Sequence, residues 1–397
     1  MLIILFPYKF SNFFFKKYQI NELIKKFKKN FEIHDISNII AKNFHNELKR
    51  KNHKAIQVFD NINEWKTHIQ KKIQKKKKIF VINLVFFHSF RSFYIHYLLF
   101  KYKVSIIKIN SPEVFAPISR SSIYLKLISF LKLILFDQTR LIFILKNLFI
   151  RKLVKSLKFN ELYVTICGFK SKKLPSSLDI SAKKIRFIDF HASDFANYLS
   201  NKPKNNLKKK NYVIFLDIKA PAFAGDDILF NNPIKYDVDK WYKDLNNFLI
   251  NVEKIFKTKV IIIPHPSVRK LKNMYYHKQF KVSKNPDSSN QLIPNSRFVI
   301  ANGATTAVSF CIIHNKPVTL IYADQVKKFN PGMLFETKCL SSCLSVKSLN
   351  INKKIYKSKF SLKINKKSYS NYKYNFLTSK SIKKINNPEI LEKIITQ

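Results

Sequence analysis

The sequence predicts an α/β protein of two Rossmann-like domains, each a parallel sheet covered by helices, facing each other across a cleft. Three observations predict it. Apolar runs of strand length alternate with helix-like segments throughout, the rhythm of βα units. A hydrophobic content of 46% is ample for real cores, and 397 residues suffice for two or three domains. A polar stretch at 200–211, SNKPKNNLKKKN, interrupts the apolar rhythm and divides residues 1–200 from 201–397.

In the first domain the expected strands are LIILF at 2–6, IFVINLV at 79–85, VSIIKI at 104–109, LYVTIC at 162–167 and IRFIDF at 185–190. The second domain restarts with YVIFLD at 212–217, a buried-strand pattern ending on a carboxylate. A loop rich in turn formers follows, IKAPAFAGDDILFNNP at 218–233. Trp241, Leu245, Phe248, Leu249, Val252 and Phe256 then fall on one helical face. The strand KVIII at 259–263 stops at PHP, and RFVIAN at 297–302 leads through Gly303 into a helix over TTAVSFCIIH at 305–314. PVTLIYA at 317–323 is the next strand. The polar, basic residues after Cys343 carry no legible chemistry and are read as a closing helix that returns to the first domain. There is no repeat at solenoid spacing.

The charge is extreme, with 74 Lys plus Arg against 24 Asp plus Glu, a formal net charge of +50. That invites a nucleic-acid partner, but only eight of the 74 are arginines, and the lysines are spread along the chain. A protein that grips phosphates and reads bases favours the guanidinium fork. No nucleic-acid partner is expected. Four cysteines, Cys167, Cys311, Cys339 and Cys343, lack metal-type spacing and suit a reducing compartment.

The first residues read as a strand rather than a signal peptide, since the lysines follow the short apolar run and no small-residue cleavage site appears. Residues 121–155 are apolar but interspersed with Lys126, Lys132, Arg140, Lys146, Arg151 and Lys152, so no uncharged stretch reaches the ~20 residues of a spanning helix. Two readings stay open there. The segment forms buried helices, or it lies as a basic amphipathic surface against anionic lipid.

Glycine is nearly absent, with four where average usage would give roughly 28. Gly303 therefore sits where a side chain is hard to fit. Thr305, Thr306 and Ser309 follow it, and hydroxyls at a helix start can join its amides around an anion. The plainer alternative is that Thr305 or Thr306 caps the helix while Ser309 faces solvent. The pattern is not a Walker loop, whose lysine and spacing are absent. His265, between Pro264 and Pro266 at the carboxyl end of KVIII, would point to the same rim, its backbone restricted by both prolines. There it can donate to a phosphate oxygen.

PHP after an apolar strand, then NGATTAVSFCIIHNKPV, resembles the His-Pro and Ser/Thr-pair motifs of bacterial capsule and surface-polysaccharide glycosyltransferases, among them sialyltransferase-like and polysialyltransferase-like enzymes. FIDFHASDFANYL at 187–199 is similar to a segment that precedes the linker in surface-carbohydrate proteins. The resemblance covers roughly residues 185–323. It implies a GT-B architecture whose C-terminal domain holds the nucleotide-sugar donor. His265 and the Thr305–Thr306 pair would hold the donor phosphate, with Asn302, Gly303, Ser309 and Pro266 completing the donor-binding set. The acidic pair followed by Gly that supplies the sialyltransferase base has only GDD at 225–227 here, reversed and beyond the linker.

The expected activity is metal-independent transfer of a sugar from a nucleotide-sugar donor to a surface-polysaccharide or lipid-linked acceptor, a glycan or glycolipid, at the inner face of the cytoplasmic membrane, with no cofactor. Candidates for the base are Asp217, Asp194, His191 and His88. Each has a structural alternative: Asp217 capping a turn, His191 and Asp194 pinning the hinge, His88 packed among aromatics. Lys316, just before the next strand, is either a further neighbour of the phosphate or, as the plainer reading, an ordinary surface lysine. The Asp-x-Asp at 237–239 precedes a helix and reads as its cap, not a metal bridge. Two other functions compete, a non-catalytic binding or scaffold protein of polysaccharide synthesis and a nucleotide-sugar epimerase.

Overall fold

The computed structural model describes residues 1–40, 49–75, 78–85, 89–109, 138–170, 180–201, 211–218, 236–265, 275–283, 285 and 288–396. The chain divides into two compact units. The first comprises Met1–Ser111, Arg120–Ser193 and Thr378–Gln397, and the second Pro112–Ser119 and Asp194–Leu377. The chain thus leaves the first unit after Ser193 and returns to it at Thr378. Most of the polar stretch at 200–211 lies outside the described residues.

The first unit holds seven strands: β1 Leu2–Phe6, β2 Phe31–Asp35, β3 Ile56–Val58, β4 Phe80–Asn83, β5 Ser105–Lys108, β6 Lys158–Ile166 and β7 Ser181–Asp189. They pair in the order β3-β2-β1-β4-β5-β6-β7, every pair parallel. β1 is apolar at every residue because helices cover both faces of such a sheet, which removes the alternation of a half-exposed strand. Ile3, Leu5, Val81 and Ile106 meet Trp65, Ile69, Leu98, Leu99, Ile150 and Val154 in one continuous core.

The second unit holds β8 Tyr212–Leu216, β9 Lys259–Ile263, β10 Lys281–Val282, β11 Val299–Asn302, β12 Val318–Tyr322 and β13 Ser348–Asn350. Their order is β10-β9-β8-β11-β12-β13, again all parallel. Counted from its own first strand this is 3-2-1-4-5-6, the Rossmann order, and the first unit has the same order with a seventh strand added. The expected Rossmann-like pair of parallel sheets is therefore what the chain forms.

The helix Val238–Phe256 buries Trp241, Leu245, Phe248, Leu249, Val252 and Phe256 against the second sheet, the face the sequence predicts. Asp237 caps it by accepting from the Lys240 amide at 3.0 Å, so the Asp-x-Asp is a helix start. Lys257 closes it with a left-handed backbone, φ 48°. Gln19, Lys28, Lys103, Asn315 and Ser345 also have positive φ, so non-glycine residues occupy turns where glycine is usual.

Candidate functional site

In a Rossmann-ordered sheet, ligands bind beyond the carboxyl ends of the strands where the strand order reverses. In the second unit that switch point lies between β8 and β11. Leu216 pairs with both Ile263 and Ala301, so these three residues form one row across β9, β8 and β11. Beyond this last paired row the three chains continue as Pro264, Asp217 and Asn302, then His265, Ile218 and Gly303. The register thus brings predicted residues from three strands to one rim. Two strand spacings, roughly 10 Å, separate the backbones of the outer members.

Asp217 occupies the middle of that rim and is buried. Its Oδ1 accepts from the Asn302 side-chain amide at 2.8 Å and from the Ile218 backbone amide at 2.8 Å. Its Oδ2 accepts from the Tyr276 hydroxyl at 2.5 Å. Burial pushes the carboxyl up to about 6, and those three donors oppose the rise. Tyr276 packs edge-on to Tyr242 at 5.6 Å, and Tyr242 stacks on Tyr275 at 4.8 Å. Burial, then the negative Asp217, push the phenols of Tyr242 and Tyr276 upward, so they remain donors. Asp217 is the hub of a closed hydrogen-bond cluster. With the carboxyl buried and Tyr276 on Oδ2, a substrate proton would have only the remaining lone pair of that oxygen to reach.

Gly303 has φ +70°, and a Cβ there would stand 2.8 Å from the Met333 methyl, 3.6 Å from Thr337 Oγ1 and 3.9 Å from Ile218 Cδ1. Both the backbone and the packing answer why this glycine is kept. Its amide donates to the Ile321 carbonyl at 2.9 Å, which continues the β11–β12 ladder and commits that N–H to the sheet. The helix expected from Thr305 begins later and spans Val308–Ile313. The Thr305 hydroxyl oxygen lies 3.4 Å from the Ala307 amide, and a side chain that hydrogen-bonds its own backbone favours a turn over a helix. Thr305 and Thr306 are half-buried at the rim.

Ser309 is not solvent-facing. It is buried, and its hydroxyl reaches both the Asp194 carboxylate and the Thr306 carbonyl, the latter at 2.7 Å. Asp194 and Ser309 therefore form one contact, 115 residues apart in sequence. His191 belongs to the other unit. Its Nδ1 lies 2.8 Å from Thr378 Oγ1 and its Nε2 2.6 Å from the Ile385 carbonyl. Its backbone exchanges two hydrogen bonds with Asn387, at 3.0 and 3.1 Å. Burial pushes its imidazole down, so it stays neutral while holding the returning tail.

His265 is half-buried and follows β9 after the buried Pro264. Pro266, His88 and the GDD at 225–227 lie outside the described residues. Lys316 takes the structural of its two readings: it precedes β12, at the amino-terminal edge of the sheet, and its ammonium donates to the Ser296 carbonyl at 3.0 Å.

A cluster that the sequence did not suggest stands in the first unit. Glu32, His34 and His68 bring potential ligand atoms within 4.8 Å of one another. The Trp65 indole N–H, a donor only, points at His34 Nδ1 at 3.1 Å, so that nitrogen carries a lone pair. Neutral His34 then holds its proton on Nε2, which faces Glu32 at 3.1 Å. The one atom that could reach a metal is already a donor. Lys72 and His68 complete the shell around Glu32, so the cluster is an ion-pair hub with an ammonium as its cation.

No family model matches the chain, and no curated protein matches it in sequence. Among solved structures it is similar to Arabidopsis thaliana UGT89C1, at 8% identity with 100% of this chain and 98% of that one covered and a TM-score of 0.48. It is similar to the wall teichoic acid polymerase TagF, at 10% identity, 100% and 89% coverage and a TM-score of 0.45. It is also similar to S. aureus MnaA in complex with UDP, at 11%, 99% and 94%, with 0.40. At such levels the fold assignment rests on strand order alone. Two all-parallel Rossmann-like sheets in one chain are the fold composition of the GT-B class.

Proposed function

We propose that the protein transfers a sugar from a nucleotide-sugar donor to a surface-polysaccharide or lipid-linked acceptor at the inner face of the cytoplasmic membrane. The observation that carries this reading is the shared rim of the second sheet, where Asn302 and the Thr305–Thr306 turn follow β11 at the switch point and His265 follows β9, one strand beyond β8. In this reading His265 and the two threonine hydroxyls face the donor's phosphates. They stabilise the charge that grows on the leaving phosphate as the glycosidic bond breaks. Asp217 holds β8 and β11 together beneath them.

Saturation with UDP- or CMP-linked sugars is expected to raise the melting temperature of the second unit by roughly 5–10 °C at a hundredfold excess over Kd. His265→Ala is expected to abolish release of nucleotide from the donor while leaving the ligand-free melt unchanged. Full turnover by that variant would reject the assignment.

One observation favours a second reading. Asp217, Asp194 and His191 are all engaged with partners within the fold. A non-catalytic binding protein of the same pathway would bind nucleotide and release nothing. Melting shifts without nucleotide release in the unaltered protein would select it.

A further inference from the structure

The helix Gln138–Ser156 is built with two apolar faces. Ile150 and Val154 are fully buried in the core of the first unit. Ile142, Leu145, Leu148 and Phe149 are instead 64%, 50%, 55% and 52% exposed. At 100° per residue those four fall within an arc of about 120° on the side away from Ile150. Phe90, 57% exposed, adjoins them with its ring 6.5 Å from that of Phe149. Contiguous exposed apolar side chains of this kind mark a surface that docks on something.

Its charge identifies the occupant. The helix carries Arg140, Lys146, Arg151, Lys152 and Lys155 and not one acidic residue. Lys152 falls inside the apolar arc and Lys146 and Lys155 at its two rims, with Lys146 Nζ 6.0 Å from the Phe90 ring centroid. A second copy of the chain meeting this face about a two-fold axis would set these cations against their own equivalents. An anionic bilayer instead accepts apolar side chains into its acyl boundary and neutralises a flanking cation with each headgroup. No helix among the described residues is long and apolar enough to span a membrane.

We propose that the helix Gln138–Ser156 lies flat on an anionic lipid surface, with Ile142, Leu145, Leu148 and Phe149 inserted and Lys146, Lys152 and Lys155 on the headgroups. The inference locates the membrane contact and does not depend on sugar transfer.

The test is co-sedimentation of the full chain with vesicles of phosphatidylcholine alone or mixed with phosphatidylglycerol. Because the net charge of +50 draws the whole chain to any anionic surface, the deciding variant is Leu145→Ser/Leu148→Ser/Phe149→Ser. About half of each of these side chains packs on the protein, so a thermal melt of the triple variant accompanies the binding assay and binding is compared below its melting temperature. Binding to the anionic vesicles is expected to fall on the order of a hundredfold in the triple variant. Lys146→Ser and Lys152→Ser are each expected to lower it about fivefold. Residual binding by the triple variant is expected to vanish between about 0.1 M and 1 M salt, as pure electrostatics does. Equal binding of the triple variant and the unaltered chain overturns the proposal. So does equal binding to both vesicle types, or a dimer in solution that the triple variant dissociates.

Discussion

Asn302 donates its side-chain amide to Asp217 at 2.8 Å and so ties the end of β11 to the end of β8 across the switch point of the second sheet. The bond closes where the strand order reverses and the backbones begin to diverge. It fixes the spacing of the rim on which His265 and Gly303 stand.

Because burial lifts the Asp217 carboxyl from 3.8 to about 6, the folded state keeps a proton there that the unfolded chain has lost. Between those values the native state binds more protons, so stability falls as pH rises from about 4 to 6. The loss is about 3 kcal/mol, the product of the shift and 1.36 kcal/mol per pH unit. Asp217→Asn keeps an acceptor for Asn302 and can donate to the Tyr276 oxygen. Burial also pushes His314 of the same unit down to about 4, which acts in the opposite sense in both proteins. In urea unfolding the unaltered protein is therefore expected to lose this stability between about pH 4 and 6 relative to the variant. Parallel profiles would refute it.

Lys257 ends the helix Val238–Phe256 with φ 48°, a backbone that a Cβ makes unfavourable by roughly 1 kcal/mol or more. Its amide bonds to Glu253 and its side chain is solvent-facing, so Lys257→Gly removes the strain at little loss. The variant is expected to melt about 2–4 °C higher. Gly303→Ala is the opposite case: it combines an unfavourable φ with displacement of Met333 and is expected to lose about 1–3 kcal/mol. Thermal melts of the two variants are expected to move in opposite directions.

How much of this was legible in the sequence depended on whether a residue's partner was local. β1, β4, β5, β6, β7, β8, β9, β11 and β12 announce themselves as apolar runs, and the helix Val238–Phe256 by its spacing, because burial of a face acts on each element separately. β2 was not expected, since FEIHD places Glu32, His34 and Asp35 in a strand paired on both sides, between β3 and β1. Trp65 and Arg50 stabilise His34 and Asp35 there from distant segments. The period-two placement of the apolar Phe31 and Ile33 was the available signal. β3, β10 and β13 have two or three residues each, too few to show any period. Asp217 and Asn302 were legible as strand ends, and Gly303 as a turn. Nothing in the spacing links Asp217 to Tyr276, or Asp194 to Ser309, because those pairings arise only when the sheet closes.

The hub around Glu32 gives the first unit a marked acid sensitivity. Burial alone would raise its carboxyl, but hydrogen bonds from His34, His68 and Lys72 hold it far below the usual value of 4.5. A depressed carboxylate contributes its stabilisation above the unfolded pKa and loses it as pH falls below about 4.5. His34, pushed down by burial, acts in the same direction below 6.5. Glu32→Gln is expected to remove about 2–3 kcal/mol at pH 7 and to flatten the acid limb of the unfolding curve. The tautomer that Trp65 imposes on His34 further predicts that zinc leaves the melting temperature of the unaltered protein unchanged. A zinc-dependent rise that Glu32→Gln abolishes would show the hub to be a metal site after all.

The tail Thr378–Gln397 is an integral part of the first unit. Asn387 meets both the N–H and the carbonyl of His191, while Ile390, Leu391 and Ile394 are buried and Glu392 pairs with Lys26 at 2.7 Å. Asn387→Ala leaves two buried backbone groups of His191 without their partners, each unfavourable by about 1–3 kcal/mol. The variant is expected to lose about 2–4 kcal/mol, while Glu392→Gln, which breaks a partly exposed pair, loses under about 1 kcal/mol. Hydrogen exchange is expected to localise the Asn387→Ala effect to β6, β7 and the tail, with the second sheet protected as before. Equal losses in the two variants would mean that apolar packing, and not the His191–Asn387 pair, holds the tail in place.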